Sequence, residues 1–175
     1  MVSDNVGAGR IGVDHLISTG RRNIAILGGD ITYGASEERS RGAMERLAAE
    51  GLAPLGGAPV YGAWSEEWGR AAMRTTLAQY PEVDGVLCGN DQIARARWTR
   101  CATRVARFRV RWPWSATTTG PFSRRGPPAL TSIDMNLEDI GRKAAQRLAE
   151  AMDGHPSRGV ELLAPRLVVR NSSVA

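Results

Sequence analysis

Asn90 and Asp91 stand where chemistry is easiest to place. They follow a short apolar run, Gly85 to Cys88, and one glycine, and they open a helical segment. A short side-chain oxygen at such a position takes an orphan backbone N–H of the first helical turn. In open α/β sheets, the carboxyl end of a buried strand beside a helix start is also where ligands bind. The pair therefore suits recognition of a polar small molecule, although a plain strand-to-helix turn reads the same way. Other reactive residue types do not assemble. His15 and His155 are far apart, and no metal-ligand spacing occurs. No nucleophile elbow or phosphate loop is present. Gly7, Gly9 and Gly12 do not follow a strand, which argues against a dinucleotide fingerprint. Neither enzymatic activity nor a cofactor is expected.

The elements that must position this turn follow from periodicity. Ile11, Val13, Leu16 and Ile17 suit one face of a helix over 6–19, closed by Gly20. NIAIL (23–27) is a buried strand closed by Gly28 and Gly29. A helix over 35–51 places Ala43, Met44, Leu47 and Ala48 on one face, with Ser36 as a candidate cap. Residues 58–61 read as a short strand. Ser65 caps a helix over 65–79, and Glu66 and Glu67 complement its dipole. After the 83–94 unit, order returns at a short strand over 130–134. A helix over 137–152 follows, lined by Ile140, Ala144, Leu148 and Ala151. Two short strands, 160–164 and 167–169, are split by Pro165. Repeated strand–helix crossovers predict an α/β fold, a parallel β-sheet flanked by helices.

The net charge of +5 is local in origin. Residues 95–127 hold nine Arg and no Asp, Glu or Lys, so the remainder carries 14 basic against 18 acidic groups. Three of the five Trp (Trp98, Trp112 and Trp114) lie in the same stretch, which lacks clean periodicity of either kind. No apolar run reaches membrane-spanning length, so no membrane partner is expected. Two cysteines, Cys88 and Cys101, make no disulfide framework, and a reduced cytoplasmic location is the simplest expectation.

Five segments in order carry a resemblance: SDNVGAGRIGVDHLISTGRRNIAILGG (3–29), SEERSRGAMERLAAEGL (36–52), GAWSEEWGR (62–70), VDGVLCGNDQIA (83–94) and LTSIDMNLEDIGRKAAQRLAEAM (130–152), the last followed by LLAPRLVVRNSS. Together they resemble the effector-binding domain of LacI/GalR-type transcription regulators. The resemblance implies two periplasmic-binding-protein-like lobes around a small-molecule cleft, of which this chain holds one lobe and an incomplete second. It also implies a sugar or nucleoside-like effector, repressor function, a homodimeric parent, and operator contact only through an N-terminal helix-turn-helix outside these residues. A sugar-binding protein of a transport system shares the fold and is the alternative reading.

The resemblance further implies an effector-binding set. Arg39 matches the family arginine whose fork of donors fixes a polyhydroxylated or anionic ligand. Trp64 matches an aromatic that stacks on a ring, and Asn90 matches a polar contact at the strand end. Met135 and Asn136 match a crossover that often supplies another polar contact, with Met standing where Gln is common. The family's acidic residue in a Gly-aromatic-Asp turn has no counterpart, and Thr117 and Thr118 stand near its place.

Residues 95–127 interrupt the resemblance, and a shifted reading frame explains them. The chain has 22 Arg and one Lys, Lys143, as a GC-rich gene gives. Back-translated and read from each codon's third base, 97–105 can give Leu-Asp-Ala-Leu-Arg-Asp-Ala-Gly, an amphipathic helix with a glycine stop. The same offset over 113–120 can give Val-Val-Gly-His-Asp-Asn, the missing strand and turn. A genuine Arg/Trp insert that binds single-stranded nucleic acid is the competing reading.

Overall fold

The computed structural model describes residues 1–95, 114–116 and 129–173. A five-stranded sheet has the order β2-β3-β4-β5-β7, formed by Ile24–Leu27, Gly85–Cys88, Trp114–Ala116, Thr131–Asp134 and Arg166–Val168. The first four strands are parallel, and β7 returns antiparallel to β5. Val2–Ser3 (β1) and Leu162–Leu163 (β6) pair in parallel as a separate ribbon. The strand expected over 58–61 shrinks to one bridge, in which Val60 lies against Leu27 on the free edge of β2.

Both faces of the sheet are covered. Asn5–Ser18 (α1) and Gly34–Ala49 (α2) pack Val13, Leu16, Ala43 and Leu47 onto Ile24, Ile26 and Leu87. Glu66–Gln79 (α3) and Asp91–Arg95 (α4) pack Ala72, Met73, Ile93 and Ala94 onto Ala25, Leu27, Val86 and Cys88. Alternate residues of β2 thus serve opposite helical layers, which is why the strand is apolar throughout. Truncating a fully buried leucine such as Leu47 to Ala would cost about 2–5 kcal/mol.

Local signals explain most helix ends. Asp4 caps α1 by accepting a hydrogen bond from the Gly7 amide at 2.7 Å, and Ser65 caps α3 by accepting from Trp68. Gly20 (φ +86°) follows α1 in the left-handed region that a Cβ disfavours. Ser36 does not cap α2. Tyr33 holds that position without a side-chain bond, and the buried Ser36 hydroxyl donates to the Gly29 carbonyl instead. The helix expected over 137–152 is present as α5 (Leu137–Met152), yet none of its residues is buried. Its amphipathic stripe meets solvent, with Leu148 64% and Met152 81% exposed. Amphipathicity reports which face a helix is built to cover, not whether anything lies on it in these 175 residues.

The frame shift inferred for 95–127 falls outside the described residues, apart from Arg95 and 114–116. Those three form β4 between β3 and β5.

Candidate functional site at the carboxyl ends of β2 and β3

After β2 the chain crosses to Val60 on one side of that strand, and after α3 it returns as β3 on the other. The carboxyl ends of β2 and β3 therefore flank a topological switch point, where diverging connections leave a crevice. Gly28-Gly29 and Gly89-Asn90 form its two lips. The Gly89 amide donates to the Leu27 carbonyl at 2.8 Å, and the Gly28 amide donates to the Val60 carbonyl at 2.8 Å.

Large aromatic side chains explain the glycine pair. A Cβ on Gly29 would lie 2.3 Å from the Trp64 indole, and one on Gly28 would lie 2.6 Å from the Tyr61 ring. The Trp68 Nε1 donates to the Gly28 carbonyl at 3.1 Å. Trp64 is half-buried and meets Tyr33 edge to face, with ring centroids 6.2 Å apart and planes at 90°. That geometry is favourable for aromatic pairs and holds the indole still.

Arg39 reaches the crevice from the second turn of α2. Its Nη1 donates to the Gly89 carbonyl at 2.9 Å, and its Nε donates to the Asn5 Oδ1 at 3.0 Å. The Asn5 amide in turn donates to Glu38 at 3.0 Å. Nη2 makes no hydrogen bond to any described residue. Burial lowers the guanidinium pKa to about 10, opposed by the Glu38 carboxylate, so Arg39 remains cationic at neutral pH. A half-dehydrated guanidinium with a free edge is a ready donor to hydroxyls or to an anion.

Asn90 does what its type and place predict. Its Oδ1 accepts from the Ile93 amide at 2.8 Å, which caps α4. The same assignment leaves its Nδ2 without a partner among the described residues. The neighbouring Asp91 is buried and accepts from the Ser132 hydroxyl at 2.9 Å, tying the start of α4 to β5.

The structure thus brings Arg39, Trp64 and Asn90 to one end of the sheet, through Gly89 and Gly29. Met135 and Asn136 follow β5 at the same end of the parallel sheet, but two strands away from β3, on the connection into α5. The Met135 side chain is 2% exposed and packs with Ala8 and Ile133, while its carbonyl accepts from Ser3 at 2.9 Å. Asn136 is left-handed (φ 53°), and its amide donates to the Ala164 carbonyl at 2.6 Å. Two contributors escaped sequence reasoning. Asn5 aligns Arg39 from a helix whose local pattern shows only packing, and Tyr33 braces Trp64 from a loop.

Behind Arg39, between Ser36, Ser40, Gly28 and Gly89, lies a void of about 10 Å³, about the space of one water, which neither Trp64 nor Asn90 lines. A ligand at this end would lie on a surface, not in an enclosed pocket.

A family model described as periplasmic binding protein-like domain matches residues 13–173. The chain belongs to that family. Its relatives are LacI-type regulators. It is 33% identical over 175 residues to the HTH-type transcriptional regulator CelR of Thermobifida fusca, an alignment covering 97% of this chain and 50% of CelR. It is 25% identical over 166 residues to the lactose operon repressor of Escherichia coli K12, covering 95% of this chain and 46% of the repressor. A solved CelR–cellobiose complex superposes with a TM-score of 0.84 at 30% identity, over 98% of this chain and 53% of that one. A dimeric Lac repressor with an 11-residue C-terminal deletion gives 0.87 at 25% identity, over 99% and 63%. The chain spans about half the length of the relatives it matches.

Proposed function

We propose that this chain is part of the effector-sensing domain of a transcriptional repressor, and that its effector is a sugar. The arrangement of Arg39 supports this reading most directly. A cationic fork is held by Asn5 and Gly89 with one edge free, beside a braced indole and an unpaired asparagine amide. An indole face suits the C–H face of a sugar ring, and the polar groups suit its hydroxyls. Cellobiose is the effector class that the CelR complex suggests. Met135 and Asn136 would act from the crossover, holding its backbone in place rather than reaching the ligand. Arg39, Trp64 and Asn90 together line no enclosed pocket among the described residues, so tight binding calls for a second surface facing them. In this reading that surface belongs to a second lobe, and its closure is passed to the operator-reading heads of a homodimeric parent. Sugar binding between lobes would then shift a two-state equilibrium of the parent. No catalytic role is assigned. Among the described residues, no helix is long and apolar enough to cross a membrane.

Amide NMR with cellobiose as the probe tests the site. Shifts should concentrate at Gly29, Arg39, Trp64, Gly89 and Asn90, and Arg39→Met should weaken them about tenfold or more, the loss of one charge-assisted hydrogen bond. Shifts centred on another sheet end, or indifferent to Arg39→Met, would refute the assignment.

A further inference from the structure

A second cavity, of about 270 Å³, lies between α3 and the edge of the sheet. Residues Ala25 and Ile26 of β2, Leu55 of the following loop, and Trp68 and Ala72 of α3 contribute to its lining. Neither Arg39, Trp64 nor Asn90 touches it, so it is separate from the crevice at the strand ends. We propose that this cavity binds a small, uncharged ring compound that carries one hydrogen-bonding group.

Four observations select that chemistry. No charged side chain lines the cavity, so a charged ligand would lose hydration without compensation. Its volume lies between the roughly 150 Å³ that holds a benzene and the roughly 300 Å³ at which drug-sized sites begin. Thr76 lines it, is 7% exposed, and its hydroxyl makes no hydrogen bond to any described residue. The hydroxyl opens into the cavity and is available to a guest. Finally, the wall is pre-formed. Trp68 is held by its bond to the Gly28 carbonyl, and a Cβ on Gly62 would lie only 2.5 Å from its ring. Gln79 and Tyr80 add an amide and a phenol at the far end of α3, also unbonded to described residues. The cavity is thus an open, largely apolar groove with a few polar groups to orient a guest.

Fluorine NMR of 5-fluoroindole with the 175-residue chain tests the proposal. The probe's resonance should shift and broaden with a dissociation constant below about 1 mM, the range expected of a ligand of about ten heavy atoms. Ala71→Phe fills the cavity from an exposed helical position and should abolish the shift, with far-UV circular dichroism unchanged. Thr75→Trp, at another exposed lining position, should do the same by an independent route. Thr76→Val should weaken binding about tenfold, as expected for one lost hydrogen bond. Trp64→Ala should leave it unchanged, which separates this cavity from the proposed effector site. No shift at about 1 mM probe, a shift that survives either filling variant, or one abolished by Trp64→Ala would overturn it.

Discussion

Replacing Gly42 with Ala should destabilise the chain, although Ala is the better helix former. The reason lies in the contact between α1 and α2. A Cβ on Gly42 would sit 2.0 Å from the Val6 carbonyl oxygen, and one on Gly9 would sit 2.0 Å from the Arg39 carbonyl oxygen. Reaching an ordinary contact of 3.4 Å requires the helices to part by about 1.4 Å locally. The obstacle is backbone, which cannot rotate away as a side chain can. Overpacking of this kind costs about 1–3 kcal/mol, and a backbone obstacle puts it at the upper end. Alanine returns up to about 1 kcal/mol of helix propensity. The net is about 2 kcal/mol of lost stability, or a fall of about 4–8 °C in Tm for a chain of this size. Gly141→Ala is the control. That glycine lies inside α5 with nothing within 4 Å, so the same change should stabilise by up to about 1 kcal/mol. Urea unfolding followed by circular dichroism measures both. If Gly42→Ala were as stabilising as Gly141→Ala, the close helix contact would not exist. The contact also bears on the proposed site. Arg39 is on α2 and its partner Asn5 is on α1, so Gly42→Ala should lengthen their 3.0 Å hydrogen bond and weaken sugar binding together with stability.

Three further outcomes are expected. His15 is buried with its Nε2 2.6 Å from the Ser173 hydroxyl, and burial holds its pKa below the ordinary 6.5. The unfolded chain therefore takes up the proton first on acidification, so stability should be flat above about pH 7 and fall as pH drops through 6.5. Denaturant midpoints at pH 7.5 and 5.5 should differ less in His15→Gln, and an equal difference would show that other groups carry the dependence. Leu148→Glu should change stability by less than about 0.5 kcal/mol, because that side chain is solvated despite its place in an apolar stripe. A loss above about 2 kcal/mol would mean that α5 is covered in this chain. For the frame shift proposed across 95–127, an independent nucleotide sequence of the gene should show compensating insertions or deletions near both ends of the segment. An unbroken frame through it would remove the proposal.

How much of this was legible in the sequence depends on the range of the physics involved. β2, β3 and the helices between them were readable because burial on both faces forces continuous apolar runs, and the caps Ser65 and Asn90 were readable because their bonds span three residues. The strand at 58–61 was over-read: Val60 has the right composition, but pairing depends on the neighbour, and one bridge forms. Ser36 was misassigned because its oxygen had two possible uses, and the tertiary one, seven residues back at Gly29, prevailed. At the site, Arg39 and Trp64 came from family resemblance, since a surface arginine and an edge tryptophan look the same locally. Asn5 was invisible for a related reason. Its importance arises only when α1 and α2 touch, 34 residues apart in sequence.

The small ribbon has a mechanical consequence. Three short links, at Asp4, at Met135–Asn136 and at Ala164–Pro165, join the ribbon and α5 to the rest of the chain. Two hydrogen bonds stitch these links to one another, Ser3 to Met135 and Asn136 to Ala164. Strips fastened side by side bend readily together but resist twisting and sliding, since either motion strains the stitches. The ribbon is thus fastened beside the sheet end that carries Arg39, and a change at one link strains the others.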